Sequence, residues 1–109
     1  MSFGGFRSMW VMAMFDLPTT TKAERKAYQG FRKVLLKDGF LRIQFSVYAR
    51  HCASEENAVV HENRVEVSLP PDGEIRLLRL TDKQFERMKV FYGKKRKPAE
   101  KAPEQLSFF

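Results

Sequence analysis

Met9-Trp10-Val11-Met12-Ala13-Met14-Phe15, followed by Asp16-Leu17-Pro18 and then Thr21-Lys22-Ala23-Glu24, is the stretch that decides the fold. Seven apolar residues in a row, stopped by a proline, are too short and too abruptly ended for a buried helix and read as a buried strand. Pro18 pushes Leu17 out of helical geometry. Thr21 and Glu24 then form a capping box, each side chain satisfying an amide at the start of a helix. A buried strand running straight into a capped helix opens a β-α unit.

Working outward, Ala23, Ala27, Phe31, Val34 and Leu35 recur at helical spacing, and Gly39 after Lys37-Asp38 supplies a left-handed stop. The opposite stripe is basic, with Lys22, Lys26, Gln29, Lys33 and Lys37. From Phe40 to Arg50 the period changes to two: Leu41, Ile43, Phe45, Val47 and Ala49 alternate with Arg42, Gln44, Ser46, Tyr48 and Arg50, which predicts one long strand. Ser54-Glu55-Glu56 caps a second helix expected to reach about Leu69, although Val65 to Leu69 also alternates like a strand. Pro70-Pro71-Asp72-Gly73 is a turn. Glu74 to Leu80 is a third strand, Thr81 to Gln84 caps a short helix pinned by Phe85, and Met88 to Tyr92 is a fourth strand closed by Gly93.

Two long helices interleaved with four strands predict an α+β fold of the ferredoxin-like βαββαβ type, an antiparallel sheet with the helices on one face. A flavodoxin-like parallel sheet would need more crossover helices than the chain supplies. The other face of the sheet is left without cover. Trp10 and Tyr48 are expected there, which predicts a homodimer. Residues 1–93 form the domain. Residues 94–109 form a basic, flexible tail, with Lys94-Lys95-Arg96-Lys97 at its start and an apolar Leu106-Ser107-Phe108-Phe109 at its end.

The 109 residues suit a single domain. Lys and Arg number 20 against 13 acids, a net charge of +7, which favours polyanion partners through counterion release. The single cysteine, Cys52, forms no intrachain disulfide and suits a reducing cytoplasm. No apolar run approaches the ~18 residues of a membrane helix. The chain is therefore expected to be soluble and cytoplasmic.

Asp16 is the one acid placed directly after a buried strand. Two readings of it stand: a turn-forming carboxylate, or a ligand for Mg2+, which takes few carboxylates together with water and phosphate oxygens. No second acid is close in sequence until Glu24, which the capping box uses, so a metal at Asp16 would need a donor from another chain. His51 and His61 lack metal-site spacing and read as surface or partly buried residues. No Gly-rich phosphate loop and no G-x-S-x-G element occurs. Lys22, Lys26, Lys33, Lys37, Arg42, Arg50, Lys94, Lys95, Arg96 and Lys97 are the candidate phosphate contacts, and a solvated basic surface is the plainer reading of the same residues.

Met14 to Pro18 (MFDLP), Thr21 to Tyr28 (TKAERKAY) and the pattern Gly39, Gln44, Ser46, Val47, Tyr48 resemble the CRISPR-associated protein two (Cas-two) family, most closely its type II members. The likeness runs from residue 8 to 92. It implies a ferredoxin-like homodimer that bridges two dimers of the CRISPR integrase on double-stranded DNA during spacer acquisition. It also implies a metal-dependent endonuclease activity on RNA or DNA, with Asp16 as the catalytic Mg2+ ligand, faced by Asp16 of a second copy. A stand-alone toxin-like ribonuclease of similar fold is the alternative. For Leu106 to Phe109, or part of the tail near it, the resemblance implies strand addition to the partner's sheet. Gln105 to Phe109 also look like the short motif that docks bacterial proteins on the replication sliding clamp.

Overall fold

A computed structural model describes residues 7–103. In chain order the elements are β1 (Met9–Asp16), α1 (Lys22–Lys37), β2 (Leu41–Gln44), β3 (Val47–Cys52), α2 (Glu55–Glu66), β4 (Glu74–Thr81), α3 (Asp82–Glu86), β5 (Val90–Tyr92) and β6 (Lys95–Lys97). The first four strands form one four-stranded sheet of order β2-β3-β1-β4, in which every pairing is antiparallel. That is the ferredoxin-like arrangement, and it excludes the parallel rival.

β1 is an inner strand of the sheet, beside β3, because its side chains suit burial on both faces. Val11, Ala13 and Phe15 point toward α1 and α2 and pack with Tyr28, Phe31, Leu35, Ala58 and Val65. Trp10 and Met12 point the other way, with Ala49 and Phe85. The helices are set by their ends. Thr21 and Glu24 complete the expected capping box of α1, Gly39 leaves it at φ +89°, and Ser54 Oγ accepts from the Asn57 amide at the start of α2. α2 ends at Glu66 rather than near Leu69, so the alternation after Val65 belongs to neither a helix nor a strand. Ala23 is exposed, which narrows the buried stripe of α1 to Tyr28, Phe31 and Leu35.

The expected strand from Phe40 to Arg50 is instead a hairpin. It turns at Phe45-Ser46, with Ser46 at φ 64°, and Gln44 pairs with Val47. The register then shifts between Arg42 and Gln44, so Arg42 pairs with Tyr48 and Leu41 with Ala49. This bulge restores the odd-even parity that a two-residue turn alone would invert, so the alternation passes through the turn unbroken. As a result Tyr48 faces the helices, with its ring centroid 5.6 Å from that of Phe15, and only Trp10 lies on the opposite face.

The opposite face is also less bare than expected. Phe85 of α3 stacks on Trp10 at 4.0 Å with planes 9° apart, and Met14, Ile43, Val47, Leu80 and Met88 pack around that cluster. The segment expected as a fourth sheet strand forms β5, which pairs with β6 in a separate two-stranded ribbon. Lys94 to Lys97 therefore sit in an ordered hairpin, where an open tail was expected. Gln105 to Phe109 lie outside the described residues. No helix among the described residues is long and apolar enough to cross a membrane.

Candidate nucleic-acid interface and acidic strand end

Asp16 is exposed at the last position of β1, and two contacts fix it there. The Phe15 amide donates to the Ser46 carbonyl at 3.0 Å, tying the strand end to the hairpin turn. On the other side the turn at Gly73 presses against the chain: a Cβ on Gly73 would stand 2.9 Å from the Asp16 carbonyl oxygen and 3.1 Å from Leu17 Cα. Gly73, at φ +101°, is what permits this approach.

β4 begins immediately after that turn, and its first residue, Glu74, is the cross-strand partner of Asp16. Directly opposed side chains of an antiparallel pair share a face. The sequence reading missed this second acid, because only the antiparallel pairing of β4 with β1 brings it alongside. Glu74 accepts from Arg76 Nε at 2.9 Å, which offsets the repulsion of two like charges, while Asp16 makes no ion pair among the described residues. No group of three or more His, Cys, Asp and Glu side chains able to hold a metal occurs among the described residues. The donor set of one chain therefore does not fit a closed site of the zinc kind. It fits an ion such as Mg2+ that keeps most of its waters and takes one or two carboxylates plus phosphate oxygens.

Lys22, Lys26, Lys33 and Lys37 are all exposed on α1 and fall on one stripe, and none makes an ion pair among the described residues. Glu24, the acid that could neutralise them, is committed to the Thr20 and Thr21 amides at 3.0 and 2.8 Å. Arg42 is exposed at the hairpin, with its guanidinium carbon 5.7 Å from the Phe45 ring centroid. Arg50 is half-buried and serves the fold: Nε donates to the Asp38 carbonyl at 2.9 Å and a terminal nitrogen donates to the His51 carbonyl at 2.6 Å. Lys94, Lys95, Arg96 and Lys97 are exposed on the ribbon. Lys97 Nζ donates to the Tyr92 hydroxyl at 2.7 Å, and that hydrogen bond, with the Tyr92 charge, raises its pKa. Because α1 packs on one face of the sheet and the ribbon borders a cleft on the other, the two basic sets form separate surfaces on a single chain.

The histidines, expected to be surface or partly buried, are both buried, each against an aspartate. His61 Nδ1 lies 2.7 Å from Asp38 Oδ2, and Arg64 donates to Asp38 Oδ1 at 2.7 Å. His51 Nε2 lies 3.0 Å from Asp82 Oδ1, whose other oxygen accepts from Ser8 Oγ at 2.6 Å. These pairs clamp α1 to α2 and α3 to the sheet, and neither adjoins Asp16. Cys52 is no nucleophile, since burial pushes its thiol up to about 11.

The family described as CRISPR associated protein Cas2 matches residues 9–88. A protein of Parvibaculum lavamentivorans named CRISPR-associated endoribonuclease Cas2 is 58% identical over 101 residues, which span 93% of this chain and 100% of that protein. Proteins with the same name from Flavobacterium psychrophilum and Paracidovorax avenae are 52% and 50% identical, over 95% and 96% of this chain and 90% and 97% of theirs. With its β2-β3-β1-β4 sheet and a family match that spans every strand of that sheet, the chain belongs to the Cas2 family of CRISPR-associated proteins.

Proposed function

We propose that this chain is a nucleic-acid-binding bridge in CRISPR spacer acquisition, working as a homodimer between two dimers of the integrase in the cytoplasm of a type II system. The observation that carries the binding role is the exposed lysine stripe of α1, Lys22, Lys26, Lys33 and Lys37, free of ion pairs among the described residues. Such a stripe contacts phosphates and reads duplex shape rather than sequence. Two features support the dimer. β4 is an edge strand with Leu77 and Leu78 exposed, open to an added strand. On the ribbon side of the sheet, Phe91 and Tyr92 are exposed large rings. Lys26→Glu with Lys33→Glu should weaken binding of a short duplex and abolish spacer capture; parental capture by that variant would refute the bridge.

A second reading, as a Mg2+-dependent endoribonuclease, is favoured by Asp16 standing exposed beside Glu74 and by the names of the curated relatives. Asp16 would hold the ion, with Asp16 of the second copy as the further donor, and Mg2+ would supply charge neutralisation at the scissile phosphate. Asp16→Asn keeps the shape and removes the charge. RNA cleavage should disappear in this variant while duplex binding persists, and cleavage that survives would remove Asp16 from the reaction.

A further inference from the structure

Phe45, at the tip of the β2–β3 hairpin, is an aromatic side chain that core packing does not explain. It is 71% exposed, yet two neighbours, Tyr28 and Arg42, hold it in place. Its ring stacks on Tyr28 of α1, with centroids 5.9 Å apart and planes at 21°, and the Arg42 guanidinium stands over it. Tyr28 is buried, and its hydroxyl shares a hydrogen bond with Ser46 Oγ at 3.1 Å, so the support beneath the ring is rigid. The Ser46 carbonyl accepts from the Phe15 amide, which ties the tip to the strand end that carries Asp16. Turn positions usually carry Gly, Asn, Asp or Ser, and here the turn pairs a left-handed Ser46 with Phe45, whose ring faces solvent.

We propose that Phe45, backed by Tyr28 and flanked by Arg42, is a stacking platform for an unpaired nucleobase. Bases stack on aromatic side chains with little regard to sequence, and a neighbouring guanidinium adds a cation–π contact or grips the adjoining phosphate. A paired base is held in its stack, whereas an unpaired base is free to turn its face onto the ring, so the platform favours single-stranded ends next to a bound duplex. This site deepens the nucleic-acid reading and rests on it. It gives that reading a feature the lysine stripe lacks, a means of telling a frayed or extended end from a blunt one.

The test uses the full chain and three probes: a short blunt duplex, the same duplex with a single-stranded extension, and the extended duplex with abasic sites in the extension. The parent should prefer the extended duplex and lose that preference on the abasic probe. Phe45→Ala should lose the preference by about tenfold and leave the blunt affinity unchanged. Phe45→Trp should keep it, and Phe45→Leu, which retains bulk without a π face, should not. A preference that survives in Phe45→Ala, or is fully kept by Phe45→Leu, overturns the platform. Absence of any preference in the parent overturns it too. A parent that binds none of the probes instead defeats the nucleic-acid reading on which the platform rests.

Discussion

Gly73→Ala should destabilise the chain strongly, and the structure gives the size of the effect. The added Cβ would lie 2.5 Å from Leu17 Cδ2, 2.9 Å from the Asp16 carbonyl oxygen and 3.1 Å from Leu17 Cα. Leu17 is buried in the helix-side core and cannot swing away freely, and a backbone oxygen retreats only if β1 moves. Overpacking of this kind costs about 1–3 kcal/mol. The positive φ of +101° adds a further penalty of about 1–3 kcal/mol for a residue with a Cβ. A loss of about 3 kcal/mol, at a urea dependence of about 1–3 kcal/mol per M, lowers the unfolding midpoint by about 1 M or more. Gly30→Ala is the matched control, since it lies within α1 with nothing inside 4 Å and should stabilise by about 0.5–1 kcal/mol. Urea titrations followed by far-UV circular dichroism read both variants. A Gly73→Ala midpoint equal to the parent's would refute the close approach that fixes the Asp16 end of β1.

Two further outcomes follow from the packing and the charges. Phe85→Ala removes the ring stacked on Trp10 and should cost about 3–5 kcal/mol, with a red shift of Trp10 fluorescence as α3 leaves the sheet; unshifted emission would contradict that packing. For Asp38, burial is the largest single influence and raises the pKa, but the hydrogen bonds and charges of His61 and Arg64 together outweigh it, so the folded value lies below the unfolded one. The stability it contributes is present above about pH 4 and is lost as the pH falls through the folded value. Asp38→Asn should therefore flatten the acid limb of stability against pH, and a limb parallel to the parent's would show that the cluster carries no such linkage.

Local signals were legible in the sequence wherever one short stretch carried them. The Thr21 capping box, the Gly39 stop, the Pro70 to Gly73 turn and the buried β1 run all announce themselves within a few residues. The hairpin at Phe45-Ser46 did not, because its bulge preserves the alternation and the turn carries no Gly, Pro or Asn. The β5–β6 ribbon was hidden for a different reason: Lys95 to Lys97 read as a solvated charge run, yet they pair with Val90 to Tyr92. Asp16 stood out as a candidate from its position alone. Its neighbour Glu74 could be found only by pairing β4 with β1, a long-range choice that periodicity does not encode. The same holds for Asp38 with His61 and Arg64, and for Arg50, whose basic side chain reads as a phosphate contact but is turned onto backbone carbonyls.

The central claim, that cationic side chains of α1 engage phosphates, is tested most directly by the salt dependence of duplex binding. Replacing Lys26 and Lys33 with alanine removes two phosphate contacts and should flatten the slope of log affinity against log salt by about 1.8. A double variant whose slope matches the parent's would contradict the account and move the binding surface off this helix.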